Sequence, residues 1–332
     1  MDAKSLSSRR IPETAKEGGL LLSKPQGVTG DSGSNLIFIS NMGSNAIVVI
    51  DGKTQKPIKT IEVNPSPQNI FINPKTKEVY AISPPDGSVA IINTVATDYP
   101  TKIVKLGWQA RGGDINSQTN KLYISNTTDA TLAVMDGERK EITAKVPFAA
   151  GSFPLTSSVD ETRNKIYTAL YGGGQVAVID GLTNQVERLV EVGQNPIWVR
   201  YIDEIDSIFV TLEGEKKVVV VDPEKKDIIQ SITTSGTPYR IFFDRRTNYV
   251  YINYRREQKV TVLAKDQASS QFRIIEERDM PFWGETDARP YNMVWFNDKT
   301  NLAYFTSGTG NSVVVVQTEL DGRGIIESSW YA

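Results

Sequence analysis

The residue types best able to do chemistry in this chain are arginines that stand beside aromatic side chains in the second half of the sequence. The set comprises Trp198, Arg200, Tyr239, Arg240, Tyr254, Arg255, Arg256, Arg289 and Tyr291. A guanidinium group binds carboxylates and phosphates and stacks on aromatic rings, so the set suits an anionic ligand or stacked nucleobases. The alternative is a solvated surface whose arginines pair with Glu257, Glu285 or Asp287, because charged side chains most often face water.

A second candidate contact is a polar stretch that carries two large aromatic residues, Phe282 and Trp283. Aromatic residues in an otherwise polar loop are typical of protein contact sites. The alternative, to which we give equal weight, is that Trp283 folds back over a channel mouth or a sheet edge.

The composition excludes much of standard enzyme chemistry. The 332 residues include no histidine and no cysteine, and the formal net charge is -2. The chain therefore lacks the commonest general acid–base group, the commonest transition-metal ligand and every thiolate site. We expect a protein that is not an enzyme, with no catalytic residue, no bound metal and no cofactor.

An internal repeat predicts the elements that position these residues. An aromatic residue lies in a short β-type run seven times, with separations of 42, 43, 44, 42, 42 and 53 residues. These residues are Phe38, Tyr80, Tyr123, Tyr167, Phe209, Tyr251 and Tyr304. Four strand-like runs per period of about 40–45 residues are typical of propeller blades. The sequence thus predicts an all-β fold, a seven-bladed β-propeller of four-stranded antiparallel blades.

Two further sequence features recur at a fixed distance from the repeat aromatics. Thirteen residues after each aromatic, a second apolar run ends at Asp51, Asn93, Asp136, Asp180, Asp222, Ala264 and Gln317. Thirteen residues before it stands a proline in five copies, namely Pro25, Pro67, Pro154, Pro196 and Pro238. The four aspartates, Asp51, Asp136, Asp180 and Asp222, fall in four different blades and so lie far apart, and we expect them to accept hydrogen bonds in the following turn and not to bind calcium.

The motifs of this repeat resemble the YVTN family of β-propeller repeats. The matching segments are LYISN (residues 122–126), VAVID (176–180) and TNQV (183–186). The resemblance runs from Pro25 to about Trp330 and is specific for the fold. It implies periplasmic, surface-layer or cell-surface proteins, and related propellers serve as non-catalytic subunits beside redox centres held elsewhere. An extracytoplasmic location is therefore favoured, although the chain opens with no signal peptide and a cytoplasmic location stays open.

The expected organisation is a polar N-terminal arm, residues 1–19, followed by a single propeller domain, residues 20–332. The apolar run at residues 20–22 lies where a fourth strand would precede Pro25. We therefore expect the N-terminal segment to add an outer strand to the last blade and to cover an exposed edge. No stretch is apolar over the length that a membrane helix needs.

The loops between blades and the loops between second and third strands emerge on one face, hereafter the loop face. The expected function is a non-catalytic binding or scaffold protein that presents this face to a protein partner, as an accessory subunit of a larger complex. The alternative is single-stranded nucleic acid or another anionic polymer bound by the arginine-rich sector. A metal-dependent hydrolase or lyase, with a metal held between Asp86, Asp129 and Glu213, is the least favoured reading.

Overall fold

Short antiparallel strands account for most of the chain. The computed structural model describes residues 8–11, 22–255, 257, 259–266, 268–279, 293–307, 311–320 and 326–329. They form seven small sheets arranged as blades, which confirms the predicted all-β, seven-bladed propeller of antiparallel blades. Among these residues, the structure contains no helix with the length and apolar character needed to span a membrane.

Six blades contain four strands each, with neighbours paired in chain order. Blades 1 and 2 comprise β2 (Pro25–Asp31), β3 (Leu36–Asn41), β4 (Ala46–Asp51), β5 (Lys56–Glu62), β6 (Ile70–Asn73), β7 (Glu78–Ser83), β8 (Ser88–Asn93) and β9 (Thr101–Lys105). Blades 3 and 4 comprise β10 (Ala110–Asn116), β11 (Lys121–Asn126), β12 (Thr131–Asp136), β13 (Glu141–Pro147), β14 (Pro154–Asp160), β15 (Lys165–Leu170), β16 (Gln175–Asp180) and β17 (Gln185–Glu191). Blades 5 and 6 comprise β18 (Pro196–Ile202), β19 (Ser207–Leu212), β20 (Lys217–Asp222), β21 (Asp227–Thr233), β22 (Pro238–Asp244), β23 (Tyr249–Tyr254), β24 (Lys259–Lys265) and β25 (Phe272–Asp279).

The seventh blade joins both ends of the chain. It comprises β26 (Val294–Asn297), β27 (Leu302–Ser307), β28 (Ser312–Leu320) and β29 (Ile326–Ser329), together with the N-terminal strand β1 (Ser8–Ile11). Strand β1 pairs with residues 313–316 of β28, and β29 pairs with residues 317–320. The two remaining elements are single-turn 3-10 helices, Met42–Ser44 and Asp203–Ile205.

The N-terminal segment does supply an outer strand to the last blade, but from a different place than residues 20–22. The pairing strand is Ser8–Ile11, inside the segment that we expected to be a polar arm. Leu20 and Leu21 lie outside the described residues. Leu22 is buried in the cluster between blades 7 and 1, beside Val313 and Ile39. Its apolar side chain therefore packs in the core instead of forming the edge.

Face-to-face packing of the blades follows from the residue types of the middle strands. Strand β20, for example, buries four consecutive valines, so both of its faces need apolar partners. The repeat aromatics lie on the second strand of each blade and are buried. Phe209 of blade 5 meets Phe272 of blade 6 edge-on, with ring centroids 4.8 Å apart. Each aromatic side chain thus fills the space between neighbouring sheets.

The acidic residues at the ends of the third strands make turns, as predicted. The Asp180 carboxylate accepts hydrogen bonds from the Leu182 and Thr183 amides at 2.9 and 2.7 Å. The same arrangement recurs at Asp51, Asn93, Asp136 and Asp222. In blade 6 the corresponding residue, Ala264, carries no acceptor, and the turn lies further along the chain. Strand β24 runs on to Lys265, and Asp266 makes the turn.

Candidate functional site

Of the eleven contact residues predicted above, the structure describes six and brings four of them together; of the other two, Arg200 lines the central channel and Tyr254 is buried. Trp198 of blade 5 lies beside Tyr239, Arg240 and Arg255 of blade 6, on the loop face. The other five lie outside the described residues; they are Arg256, Phe282, Trp283, Arg289 and Tyr291. The two-blade grouping agrees with the register of the repeat, since Trp198 and Arg240 follow corresponding prolines.

Arg240 is the centre of this group, and it is buried, with 3% of its surface exposed. Its guanidinium carbon lies 4.8 Å from the Trp198 ring centre and 5.3 Å from the Tyr239 ring centre. The backbone amide donates to Asn253 Oδ1 at 2.8 Å, which fixes the strand position. Nη1 approaches Asn69 Oδ1 of blade 2 at 3.4 Å, so the side chain reaches across the channel.

The charge of Arg240 has no acidic partner among the described residues, and its buried Nε has no hydrogen-bond partner there. The aromatic rings on two sides provide a cation–π environment instead. A buried guanidinium compensated in this way is destabilising relative to an apolar side chain of similar size.

Arg255 makes an ion pair with Glu213, which the sequence had indicated as a candidate metal ligand and not as an arginine partner. Its Nη1 bonds Glu213 Oε1, and its guanidinium carbon lies 5.8 Å from the Tyr239 ring centre. Enclosure, together with the negative charge and hydrogen bond of Glu213, raises the pKa of Tyr171. Glu257, one of the expected partners, accepts a hydrogen bond from the Thr237 amide at 3.4 Å. Glu285 and Asp287 lie outside the described residues.

Two exposed aromatic residues lie on the loop face of the neighbouring blades 3 and 4. Trp108 is 69% exposed and Phe153 is 47% exposed. Phe153 lies directly before Pro154, the repeat proline of blade 4. In blade 3 the corresponding position is Ala110, and Trp108 lies two residues before it. The Trp108 amide is held by Asp129 Oδ2 at 3.1 Å. The sequence analysis did not predict Trp108 as a contact residue. Its position two residues before the start of an inner strand would have indicated that it lies on the loop face.

The acidic residues proposed for a metal are each engaged in local contacts. Asp86 bonds Asn64, Ser88 and Lys105. Asp129 holds the Trp108 amide, and Glu213 pairs with Arg255. Within the described part of the chain, no group of three or more acidic residues is placed to hold a metal ion.

A cavity of about 770 Å³ occupies the central channel and is lined by the inner strands of all seven blades. Asp114 of β10 and Arg200 of β18 both line it. Enclosure raises the pKa of the Asp114 carboxyl, opposed chiefly by hydrogen bonds from the Val159 and Ile115 amides. Enclosure also lowers the pKa of Arg200, opposed by the charge of Asp114. Arg200 nevertheless stays protonated at any ordinary pH.

Comparison with known sequences gives a weak match to proteins of unassigned role. No family model matches the chain. Over 179 residues it is 26% identical to a protein named "Uncharacterized protein YncE" from Salmonella typhi, and equally to its namesake from Salmonella typhimurium. The match covers 52% of this chain and 50% of each relative. The chain thus spans about half the length of the curated relatives it matches.

Comparison with solved structures shows the fold. Hydrazine synthase from Kuenenia stuttgartiensis matches with a TM-score of 0.74 and 18% identity, covering 93% of this chain and 100% of that one. Virginiamycin B lyase from Staphylococcus aureus matches with a TM-score of 0.74 and 10% identity, covering 93% and 97%. A catalytically inactive histidine-to-alanine variant of that lyase, with quinupristin, also matches at 0.74, with 11% identity and 93% and 98% coverage. These neighbours differ in function, so the likeness establishes a β-propeller and no shared activity.

Proposed function

We propose that this chain is a non-catalytic, YVTN-type binding module that docks a protein partner on its loop face and serves as an accessory subunit or scaffold. The observation that carries the proposal is the pair of exposed aromatic residues, Trp108 and Phe153, in the loops that lead into the inner strands of adjacent blades. Exposed aromatic side chains are unfavourable in water and are the residue class that anchors protein interfaces.

The surrounding loops support an anchoring role because they are held rigidly. Acidic residues of the second–third loops accept hydrogen bonds from the loops that connect blades. The Glu215 carboxylate accepts from the Gln194 amide at 2.7 Å, as Asp129 does from Trp108. A preordered surface loses less conformational entropy when a partner binds. Hydrogen bonds between the loops therefore hold the backbone that carries the exposed aromatic residues of the loop face.

Affinity capture with purified variants tests this proposal. We expect a stoichiometric protein partner to be retained by the wild type and lost with the double variant Trp108→Ala, Phe153→Ala. The expected weakening is about 30-fold or more, since truncating an interface hot spot costs about 2 kcal/mol or more. Leu182→Ala is the matched control, because Leu182 is 79% exposed on the opposite face of blade 4. Equal capture by all three proteins, or no stoichiometric partner, would overturn the proposal.

The stretch around Phe282 and Trp283 belongs to the same proposal and needs its own variant. We expect Phe282→Ala with Trp283→Ala to reduce capture of the same partner, in a protein whose melting temperature is unchanged. A lower melting temperature with full capture would instead assign these residues a packing role. Circular dichroism melts run beside the capture experiment separate the two results.

Single-stranded nucleic acid is the second candidate ligand, favoured by the grouping of Trp198, Tyr239, Arg240 and Arg255. Arg240 already lies over both rings, which leaves less aromatic surface for a stacked base. Binding of an oligonucleotide that falls steeply with salt, and that Arg255→Gln weakens, would favour this candidate over a protein partner. Binding that is insensitive to salt would count against it.

Two parts of the proposal concern chemistry and location. The histidine-to-alanine variant of the structurally similar lyase is catalytically inactive, and this chain contains no histidine, so we propose no lyase activity.

We also propose an extracytoplasmic location, on the strength of the motif resemblance. Fractionation of the source cells tests this location, and recovery of the protein in the cytoplasm alone would contradict it.

A further inference from the structure

We propose that the central channel is a binding site for a small organic monocarboxylate, which enters from the face opposite the loop face and is bound by Arg200. This site is separate from the loop face and does not depend on the function proposed for it. The inference rests on three observations: the volume of the cavity, the fact that one of its ends is bridged and the other is open, and the N–H donors of Arg200 that have no described hydrogen-bond acceptor.

The cavity has the size of a small-molecule site. Its volume of about 770 Å³ falls within the range of roughly 300–1,000 Å³ that is usual for such sites. Inner strands of all seven blades contribute to its wall. Gly112 and Gly113 lie on the wall of blade 3, where Gly112 is required because a Cβ there would meet Thr156 Cγ2 at 2.9 Å.

The loop-face end of the cavity is bridged. Arg240 is buried and extends from blade 6 to Asn69 of blade 2, and Asn69 itself lines the cavity. The opposite end is bounded by turn residues that include Gln118 and Thr162, both exposed to solvent. A ligand therefore reaches the cavity between the turns that join first and second strands.

Arg200 lies on the cavity wall with most of its donors unused. Its guanidinium has five N–H groups, and its described hydrogen bond is from Nη1 to the Ile241 carbonyl at 3.3 Å. Asp114, the acidic group with the largest favourable influence on Arg200, accepts instead from the Ile115 and Val159 amides, each at 2.9 Å. Arg200 forms no ion pair within the part of the chain that the structure describes, so its remaining donors are available to an anion in the cavity.

The chemistry of the wall selects a carboxylate with one charge. A guanidinium matches a carboxylate with two parallel hydrogen bonds. Carboxylates line the cavity towards the open end, among them Glu161, Asp203 and Asp298, and their repulsion of an anion grows with its charge, so one negative charge is favoured over two. Trp198 and Trp295 also line the cavity and provide apolar surface for the body of the ligand. An aromatic monocarboxylate therefore fits better than a phosphate ester.

Fluorine NMR with 4-fluorobenzoate tests the site on the intact protein. We expect saturable, millimolar or tighter binding that Arg200→Gln weakens by about 10-fold or more, because the paired charged hydrogen bonds are lost. Arg188→Gln is the matched control, since Arg188 lies on the outer strand β17 and pairs with Asp227 at 2.8 Å. The neutral analogue 4-fluorobenzamide and the dianion 4-fluorophenyl phosphate should bind more weakly. Absent binding, equal binding of the neutral analogue, or an unchanged affinity in a folded Arg200→Gln protein would overturn the proposal.

A second pair of variants decides the matter if Arg200→Gln does not fold. Gln118→Trp with Thr162→Trp narrows the open end at exposed positions and should slow or abolish 4-fluorobenzoate binding. The loop-face variant Trp108→Ala, Phe153→Ala should bind 4-fluorobenzoate normally even though it loses the protein partner. Unimpaired binding in the narrowed variant would show that the ligand does not enter this end, and the proposal would fail independently of the loop-face function.

Discussion

The repeat aromatics occupy equivalent buried positions, yet their hydroxyl groups differ in environment. Tyr80 donates to Glu78 at 2.9 Å, and Tyr304 accepts from Gln55 at 2.9 Å. Tyr123 and Tyr167 have buried hydroxyls with no partner among the described residues. Burial raises the pKa of Tyr123 to about 12, so its hydroxyl stays neutral. In blades 1 and 5 the same position holds a phenylalanine, which shows that the ring alone satisfies the packing.

We therefore expect opposite results from the same substitution in two blades. Tyr123→Phe should leave the free energy of unfolding unchanged or raise it by up to about 1 kcal/mol, because an unpaired polar atom is removed. Tyr80→Phe should lower it by about 1 kcal/mol or more, because the Glu78 carboxylate loses a hydrogen bond. Urea unfolding of both variants measures this contrast. A destabilised Tyr123→Phe protein would show that a bound water or a neighbouring group satisfies that hydroxyl.

Asp180 provides a prediction about pH. Its pKa is held well below the ordinary value by a hydrogen bond from Lys165 and by the Thr183 amide. The unfolded chain therefore binds the proton at a higher pH than the folded chain. The stabilisation is present above the ordinary aspartate pKa and is lost as the pH falls through the folded value.

The variant Asp180→Asn removes this dependence while keeping the turn, since Asn93 makes the same turn in blade 2. At neutral pH we expect a loss of about 1 kcal/mol or less, because both members of the Asp180–Lys165 ion pair are partly exposed. As the pH falls below the ordinary aspartate pKa, the difference in stability between the two proteins should shrink. Thermal melts across this range measure the difference, and a constant difference at all pH values would contradict the assignment.

At the scale of the strand, the outer edges of the blades are exposed and need protection from pairing with other chains. Strand β17 exposes Val186 and Leu189 but places Glu187 and Arg188 between them. A register shift interrupts its pairing with β16 after Val178, as corresponding shifts do in four other blades. Charges and bulges on edge strands are known to oppose aggregation.

The edge of the seventh blade is covered instead by β1, which leads to a truncation experiment. Removing residues 2–11 deletes the strand that pairs with residues 313–316, whereas removing residues 2–7 leaves it intact. We expect the longer deletion to lower the melting temperature by several degrees, since four backbone pairings are lost. The shorter deletion is the control and should melt like the full chain. Equal melting of all three proteins would show that β1 contributes nothing to stability.

The fold was predictable because the information lies within one period of the sequence. Residues such as Tyr123 and Asp136 repeat at fixed offsets, and the strand pairs that they mark are local. The closing strand was misplaced because Ser8–Ile11 is mostly polar and pairs with a partner some 300 residues away. The Arg255–Glu213 pair spans neighbouring blades, one period apart, and single-blade patterns do not contain it. Arg240 was predicted on the loop face, but its burial and its reach to Asn69 depend on the closed ring.

At the scale of the whole molecule, polar ties join neighbouring blades on the face opposite the loop face. At the boundary of blades 3 and 4, Asn116 Nδ2 donates to Asn164 Oδ1 at 2.9 Å. At the boundary of blades 7 and 1, Asn297 Nδ2 donates to Asn35 Oδ1 at the same distance. The first tie joins consecutive blades, whereas the second joins the two ends of the array. Their geometry is equivalent only because the ring is closed.

This equivalence makes closure measurable by comparing two matched substitutions. Asn116→Asp and Asn297→Asp each keep the oxygen that accepts turn amides and remove the amide donor of the tie. In the full chain we expect equal losses of about 1–2 kcal/mol, since each leaves an acceptor unpaired. In the protein lacking residues 2–11, the ring is free to open between blades 7 and 1, as a linear repeat array is at its ends. The loss from Asn297→Asp should then shrink while that from Asn116→Asp stays the same, and equal losses in both backgrounds would mean that the ring stays shut without β1.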